Sequence, residues 1–147
     1  MIEIEYKVEN AGWATTYIGN GEKTEKFAVS YLRDSLKELA NSAIEIREKD
    51  YKSVTFMDEP GEHVLILNRR GEKIIDYELR WYKDWLSWNL VDENDFELVL
   101  KGQTTLPKYI NQIRKVLNEI MTELGLKKYK EKWIEHDFPM EEYGKIK

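Results

Sequence analysis

The densest group of side chains able to do acid–base or metal chemistry is Asp58, Glu59, Glu62 and His63. Carboxylate oxygens suit a hard cation, and an imidazole nitrogen would complete a mixed ligand set. The four flank Pro60-Gly61, however, and polar residues around a Pro-Gly pair need no ligand to explain them. A calcium loop would also need oxygen ligands at alternate positions closed by a bidentate Glu, a pattern this segment lacks. They are read as a turn, with Gly61 at the type II position that takes a positive φ; no metal and no cofactor is expected. His136 followed by Asp137 forms the second group, since a carboxylate beside an imidazole fixes its tautomer and raises its basicity. Neighbours in sequence seldom face one another, and no serine motif offers a nucleophile. His136 is therefore read as a residue ending a helix, near the negative end of its dipole. Gly19-Asn20-Gly21 does not continue as G-x-G-x-x-G, and neither a P-loop nor an H-E-x-x-H motif occurs. With no cysteine there is no thiolate nucleophile and no disulfide. No catalytic residue is assigned.

A different chemistry, that of recognition, is offered by Trp81, Tyr82, Trp85 and Trp88. Large amphipathic rings line binding surfaces as readily as they fill cores. Trp81 is in phase with Ile75, Tyr77 and Leu79 and is expected in the core, whereas Trp85 and Trp88 follow no clear period. Directly after them comes the acidic run Asp92-Glu93-Asn94-Asp95. Exposed carboxylates steer an oppositely charged partner, and a few aromatics hold it once docked. Trp85, Trp88, Asp92, Glu93 and Asp95 are thus the candidate partner-binding residues. A small-ligand site or an enzyme built on residues 81–88 is the alternative, and it requires a concave pocket with convergent polar groups. A structural subunit that self-associates through an aromatic edge is a further one.

Charge narrows the partner. Lys and Arg number 23 against 28 Asp and Glu, a formal net charge of −5. Such a surface is repelled by phosphate backbones and attracts a basic protein, such as a toxin, so nucleic acid is not expected. The one basic stretch, Lys127-Lys128-Tyr129-Lys130-Glu131-Lys132, reads as the outer face of a helix. The first residues lack the basic and apolar segments of a signal peptide, and no apolar run approaches a membrane span. A cytoplasmic protein without a membrane partner is expected. With 147 residues and 41% hydrophobic composition, residues 1–147 can build one domain around a core.

The elements that must position these residues follow from periodicity. Ile2, Ile4, Tyr6 and Val8 alternate with charges as in a strand with one wet face. Asn10-Ala11-Gly12 supplies a turn, Trp13 to Ile18 a second strand, and Phe27 to Val29 a short third. Leu32, Leu36, Leu39, Ala40, Ala43 and Ile46 share a helix face whose start Ser30 or Asp34 could cap. Three β-like runs follow, at 54–57, 64–67 and 75–81, forming a meander. Phe96, Leu98 and Leu100 then alternate in a last strand. Ile110, Ile113, Leu117, Ile120 and Leu124 keep the spacing of a long helix, with Thr105 as its cap, Pro107 in its first turn and Gly125 at its end. Leu126, Tyr129 and Trp133 suggest a short second helix that Pro139 terminates. The expected fold is α+β, an antiparallel sheet of about six strands with helices mainly on one face, in the order β-β-(β)-α-β-β-β-β-α-α.

A resemblance rests on this layout. Trp13 lies on a strand leading to Ser30-Tyr31-Leu32 and a helix, then come Glu59-Pro60-Gly61-Glu62 in a hairpin, a long helix ending at Gly125, and Tyr129, Trp133 and Phe138-Pro139 beyond it. In these features the chain resembles small acidic bacterial proteins similar to the immunity proteins that neutralise secreted toxins. The resemblance implies a non-enzymatic, protein-binding role and transfers no functional residue.

Overall fold

The computed structural model describes residues 1–58 and 61–146. Alternation in the first segment produces β1 (Glu3–Val8), β2 (Trp13–Gly19) and β3 (Thr24–Ser30), which pair antiparallel in the order β1-β2-β3. A second antiparallel sheet, in the order β4-β5-β6-β7, is built from β4 (Tyr51–Met57), β5 (Glu62–Arg70), β6 (Ile74–Tyr82) and β7 (Glu97–Thr105). The α+β class is that expected, and the element order matches except for a further helix at the C-terminal end. Among the described residues the strands number seven and divide over two sheets, with α1 (Ser35–Glu45) lying between β3 and β4 in the chain. Asp34 caps α1, accepting a hydrogen bond from the Lys37 amide at 3.4 Å, whereas Ser30 ends β3. Leu32 consequently precedes the helix and is exposed, against the expectation that it shares the buried stripe. A residue outside the first turn has no fixed phase on the helix.

The C-terminal helices are α2 (Leu106–Glu123), α3 (Gly125–Trp133) and α4 (Met140–Ile146). Thr105 caps α2 through the Lys108 amide, and Ile113, Leu117 and Ile120 are buried as the spacing predicts. Gly125 separates α2 from α3 with φ of 75°. α3 ends at Trp133, well before Pro139, which precedes α4 instead. The break is a γ-turn of the rare hand: Ile134 has φ 76° and ψ −68°, and the Glu135 amide donates to the Trp133 carbonyl at 3.0 Å. A β-branched residue in that region is strained, and the local sequence gives no sign of it.

One continuous core joins both sheets and all four helices, with Ile4, Val29, Leu36, Phe56, Leu65, Leu117, Trp133 and Ile146 among its members. Phe27 of β3 ties the sheets together, meeting Phe56 edge-on at 5.4 Å and stacking on His63 at 4.0 Å. The outer edge of β7 is closed by the β2–β3 hairpin: Lys23 Nζ donates to the Val99 carbonyl at 2.9 Å and Asn20 Nδ2 to the Lys101 carbonyl at 2.8 Å. On β4, Ser35 Oγ donates to the Thr55 carbonyl at 2.8 Å. Edge carbonyls met by side-chain donors resist pairing with a foreign strand.

Two expectations about phase are corrected. A bulge opposite Leu79 and Arg80 sets Leu79 against Leu100 and Arg80 against Leu98, so β7 gains a residue at Val99. Val99 and Leu100 are both buried and Leu98 is exposed, which breaks the simple alternation of 96, 98 and 100. Trp81, expected in the core, is 37% exposed, and Tyr82 is buried in its place. Alternation assigns a side chain to a face, but whether that face is covered depends on what packs there.

Candidate protein-binding surface

The segment between β6 and β7 carries the aromatic and acidic residues, and it has its own small core. Val64 and Ile66 point to the opposite face of β5 from Leu65 and Leu67, and with Tyr82 they form a cluster covered by Leu86, Val91 and Phe96. Arg80 lies over the Phe96 ring, 4.2 Å from its centroid. Above this floor Leu86–Trp88 make a 3-10 turn that starts at Trp85 and ends on Asn89 in the left-handed region. Asn is among the few residues that accept that conformation readily, so the ambiguous periodicity from 85 to 90 is that of a single tight turn.

Hydrogen bonds fix the segment to the sheet. Trp85 Nε1 donates to the Asp58 carbonyl and the Tyr82 hydroxyl to the Glu93 carbonyl, at 2.8 and 2.7 Å. The Leu90 amide donates back to the Trp85 carbonyl at 3.1 Å. Asp92 holds the acidic run in an Asx-type turn, its Oδ1 accepting from the Asn94 amide at 2.8 Å, while Asp95 pairs with Lys83 at 3.3 Å.

The candidate residues therefore divide. Trp85 is half-buried and tied down, and Trp88 packs edge-on against it, ring centroids 4.4 Å apart, while remaining 56% exposed. Leu90, beside them, is 55% exposed and was not singled out by the sequence; its lack of periodic partners was the one available sign. Asp92, Glu93 and Asp95 are exposed. Trp81, Tyr82, Trp85 and Trp88 do not form one platform: Tyr82 lies beneath the segment, and Trp81 projects from the opposite face of β6, opposite His63. A hollow of about 590 Å³ opens between the 3-10 turn and the acidic run, lined by Leu86, Asn89, Leu90, Val91, Asp92 and Glu93.

The groups read as a turn around Pro60 are placed differently. Glu59 and Pro60 lie outside the described residues. Glu62 and His63 belong to β5 and are buried, Glu62 fully, so they are strand residues and not part of the turn. The apolar run that follows extends back to include them because Phe27 and Arg33 offer partners: His63 stacks on Phe27, and Arg33 feels the Glu62 charge. Burial pushes the His63 imidazole below its ordinary pKa, opposed by Glu25, whose carboxylate lies 3.5 Å from Nε2. Gly61 is required by close approach, since a Cβ there would stand 2.5 Å from the Tyr82 carbonyl oxygen. Among the described residues no group of three or more His, Cys, Asp or Glu could hold a metal.

His136 is not a helix-ending residue. It sits in the 134–139 connection, where Nε2 meets the Tyr31 carbonyl at 3.0 Å and Nδ1 approaches Asp34 at 3.8 Å. Its carboxylate neighbour is thus the α1 cap, and Asp137 turns outward toward Lys130. Burial pushes the Asp34 carboxyl above its usual range, and His136 partly restores it. The Nε2 contact to the Tyr31 carbonyl and the approach of Nδ1 to Asp34 place the connection against the start of α1.

Antiparallel strands in two sheets, backed by helices and displaying an aromatic and acidic segment tied to the sheet, define an α+β protein with a presented loop surface. No protein-family model matches the chain, and no curated protein matches it. Among solved structures, a chain of the CdiA-CT/CdiI toxin and immunity complex from Enterobacter cloacae is similar, with a TM-score of 0.50 at 12% identity over 80% of this chain and 99% of that one. At that identity the likeness is one of fold. No helix among the described residues is long and apolar enough to cross a membrane.

Proposed function

We propose that this chain is a non-enzymatic, immunity-type binding protein that captures a basic protein partner, such as a toxin, in the cytoplasm. Its docking surface is the segment containing Trp85, Trp88, Asp92, Glu93 and Asp95. The observation that carries the reading is a large apolar pair, Trp88 and Leu90, held in water on a segment that partly buried hydrogen bonds fasten to the sheet. Exposed aromatics on a preorganised loop bind at a low entropic cost. The carboxylates beside them suit a cationic partner. The fold shared with a chain of a toxin and immunity complex supports the same role. The closure of β7 by Lys23 and Asn20 favours docking on a face over addition of a strand.

The test is capture of the partner from the native organism, its identification, and binding kinetics on two variants. Replacing Asp92, Glu93 and Asp95 with Asn, Gln and Asn should mainly slow association and flatten its dependence on salt. Trp88→Ala should mainly speed dissociation. A captured partner that binds both variants with wild-type kinetics would place the surface elsewhere. Capture of no protein, together with tight binding or turnover of a small molecule, would overturn the role itself.

A further inference from the structure

Resting on that reading, we infer that the hollow beside Trp88 receives a single arginine side chain of the partner. The hollow is bordered by both aliphatic and acidic residues. Leu86, Leu90 and Val91 line it together with Asp92 and Glu93, so aliphatic and carboxylate side chains border one opening. A basic side chain has the matching parts, with an aliphatic stem that gains by covering apolar surface and a cationic head that does not. Its volume of about 590 Å³ is ample for one such side chain and for retained water.

The carboxylates decide between arginine and lysine. One oxygen of Asp92 is already engaged by the Asn94 amide, and the Glu93 carboxylate has no partner among the described residues. The acceptors left over are spread across two adjacent residues. A guanidinium presents several donors in a fixed plane and can meet both at once, whereas an ammonium is a compact point charge that water solvates strongly. The site is also prepared before binding: the Tyr82 hydroxyl holds the Glu93 backbone, and Asn89 turns the chain so that Leu90 faces the opening. Trp88, exposed at the end of the 3-10 turn whose Leu86 lines the hollow, is the neighbouring ring.

The test uses the isolated protein, labelled for NMR, titrated with butylguanidinium and separately with butylammonium. Butylguanidinium should shift the amides of Asn89, Val91 and Glu93 and the Trp88 indole saturably in the millimolar range, and butylammonium should bind more weakly. Glu93→Gln should weaken butylguanidinium binding roughly tenfold, the effect of losing one charge-assisted hydrogen bond. Asp137→Asn, which removes an exposed carboxylate elsewhere, should change nothing, and an unchanged amide spectrum outside the loop verifies that each variant is folded. Equal binding of the two cations, no saturable shift, or full binding by Glu93→Gln would each overturn the arginine slot. Because no partner is present in this titration, its outcome stands apart from the capture experiment, and either can fail while the other succeeds.

Discussion

His63 shows how one residue changes meaning between sequence and structure. Beside Pro60-Gly61 it reads as a polar turn residue, yet it is stacked against Phe27 between the two sheets, with Nδ1 lacking a hydrogen-bond partner. Burial depresses its pKa, so the unfolded chain binds a proton more readily than the folded one. Stability contributed by the neutral ring is present above the unfolded pKa of about 6.5 and is lost as pH falls through the lower folded value. Wild type should therefore lose stability between pH 7.5 and pH 5, and His63→Phe, which keeps the ring stack and cannot take a proton, should lose less. Urea midpoints at the two pH values measure this; parallel losses in both proteins would show that His63 does not titrate on unfolding. Gly61 teaches a related lesson. The sequence predicts it from a turn signal, whereas the structure supplies a tertiary reason, the Tyr82 carbonyl against it.

At the scale of elements, α2 is the part whose sequence and structure agree most closely. Its capping threonine, early proline and apolar stripe are local features, each set by backbone geometry within a few residues. Leu117 is fully buried on that stripe. Leu117→Ala should cost about 2–5 kcal/mol in chemical denaturation, whereas a loss below about 0.5 kcal/mol would mean that the stripe does not face the core. β6 and β7 agree less well. Their alternation is visible, but the bulge at Val99 and the reversal of Trp81 and Tyr82 depend on pairing across strands and on the cover supplied by Leu86, Val91 and Phe96. α4 was not foreseen at all. It is short, and its buried Tyr143 and Ile146 acquire a partner surface once the 134–139 connection folds back onto α1.

Across the whole molecule, the two sheets are held together by a shared core and by side chains that reach from one to the edge of the other. Lys23 spans from the first sheet to the Val99 carbonyl of the second. Lys23→Met keeps the aliphatic stem and removes the donor, and it should cost about 1 kcal/mol. It should also raise self-association at high concentration, because an edge carbonyl is uncovered. Sedimentation velocity over a concentration series checks the second effect, and a strictly monomeric variant would show that this edge is protected by other means. The same whole-molecule view bears on metals. Glu62 and His63 are engaged within the protein, so a chelator should leave the melting temperature unchanged. A drop restored by one particular cation would reveal a site that the fold conceals.

Residue type and spacing alone determined the α+β class, the hairpin, the long C-terminal helix and the segment from Trp85 to Asp95 as a place of unusual composition. These are legible because hydrogen-bonding periods, caps and turns are local, and each is repeated over enough residues to be read. Tertiary structure alone decided that the strands form two sheets, that Glu62 and His63 are interior, and that His136 answers to Asp34 and not Asp137. It likewise decided that Trp85 anchors while Trp88 and Leu90 project. Each of these turns on what lies across from a side chain, a partner distant in the chain, and no period in the sequence encodes that.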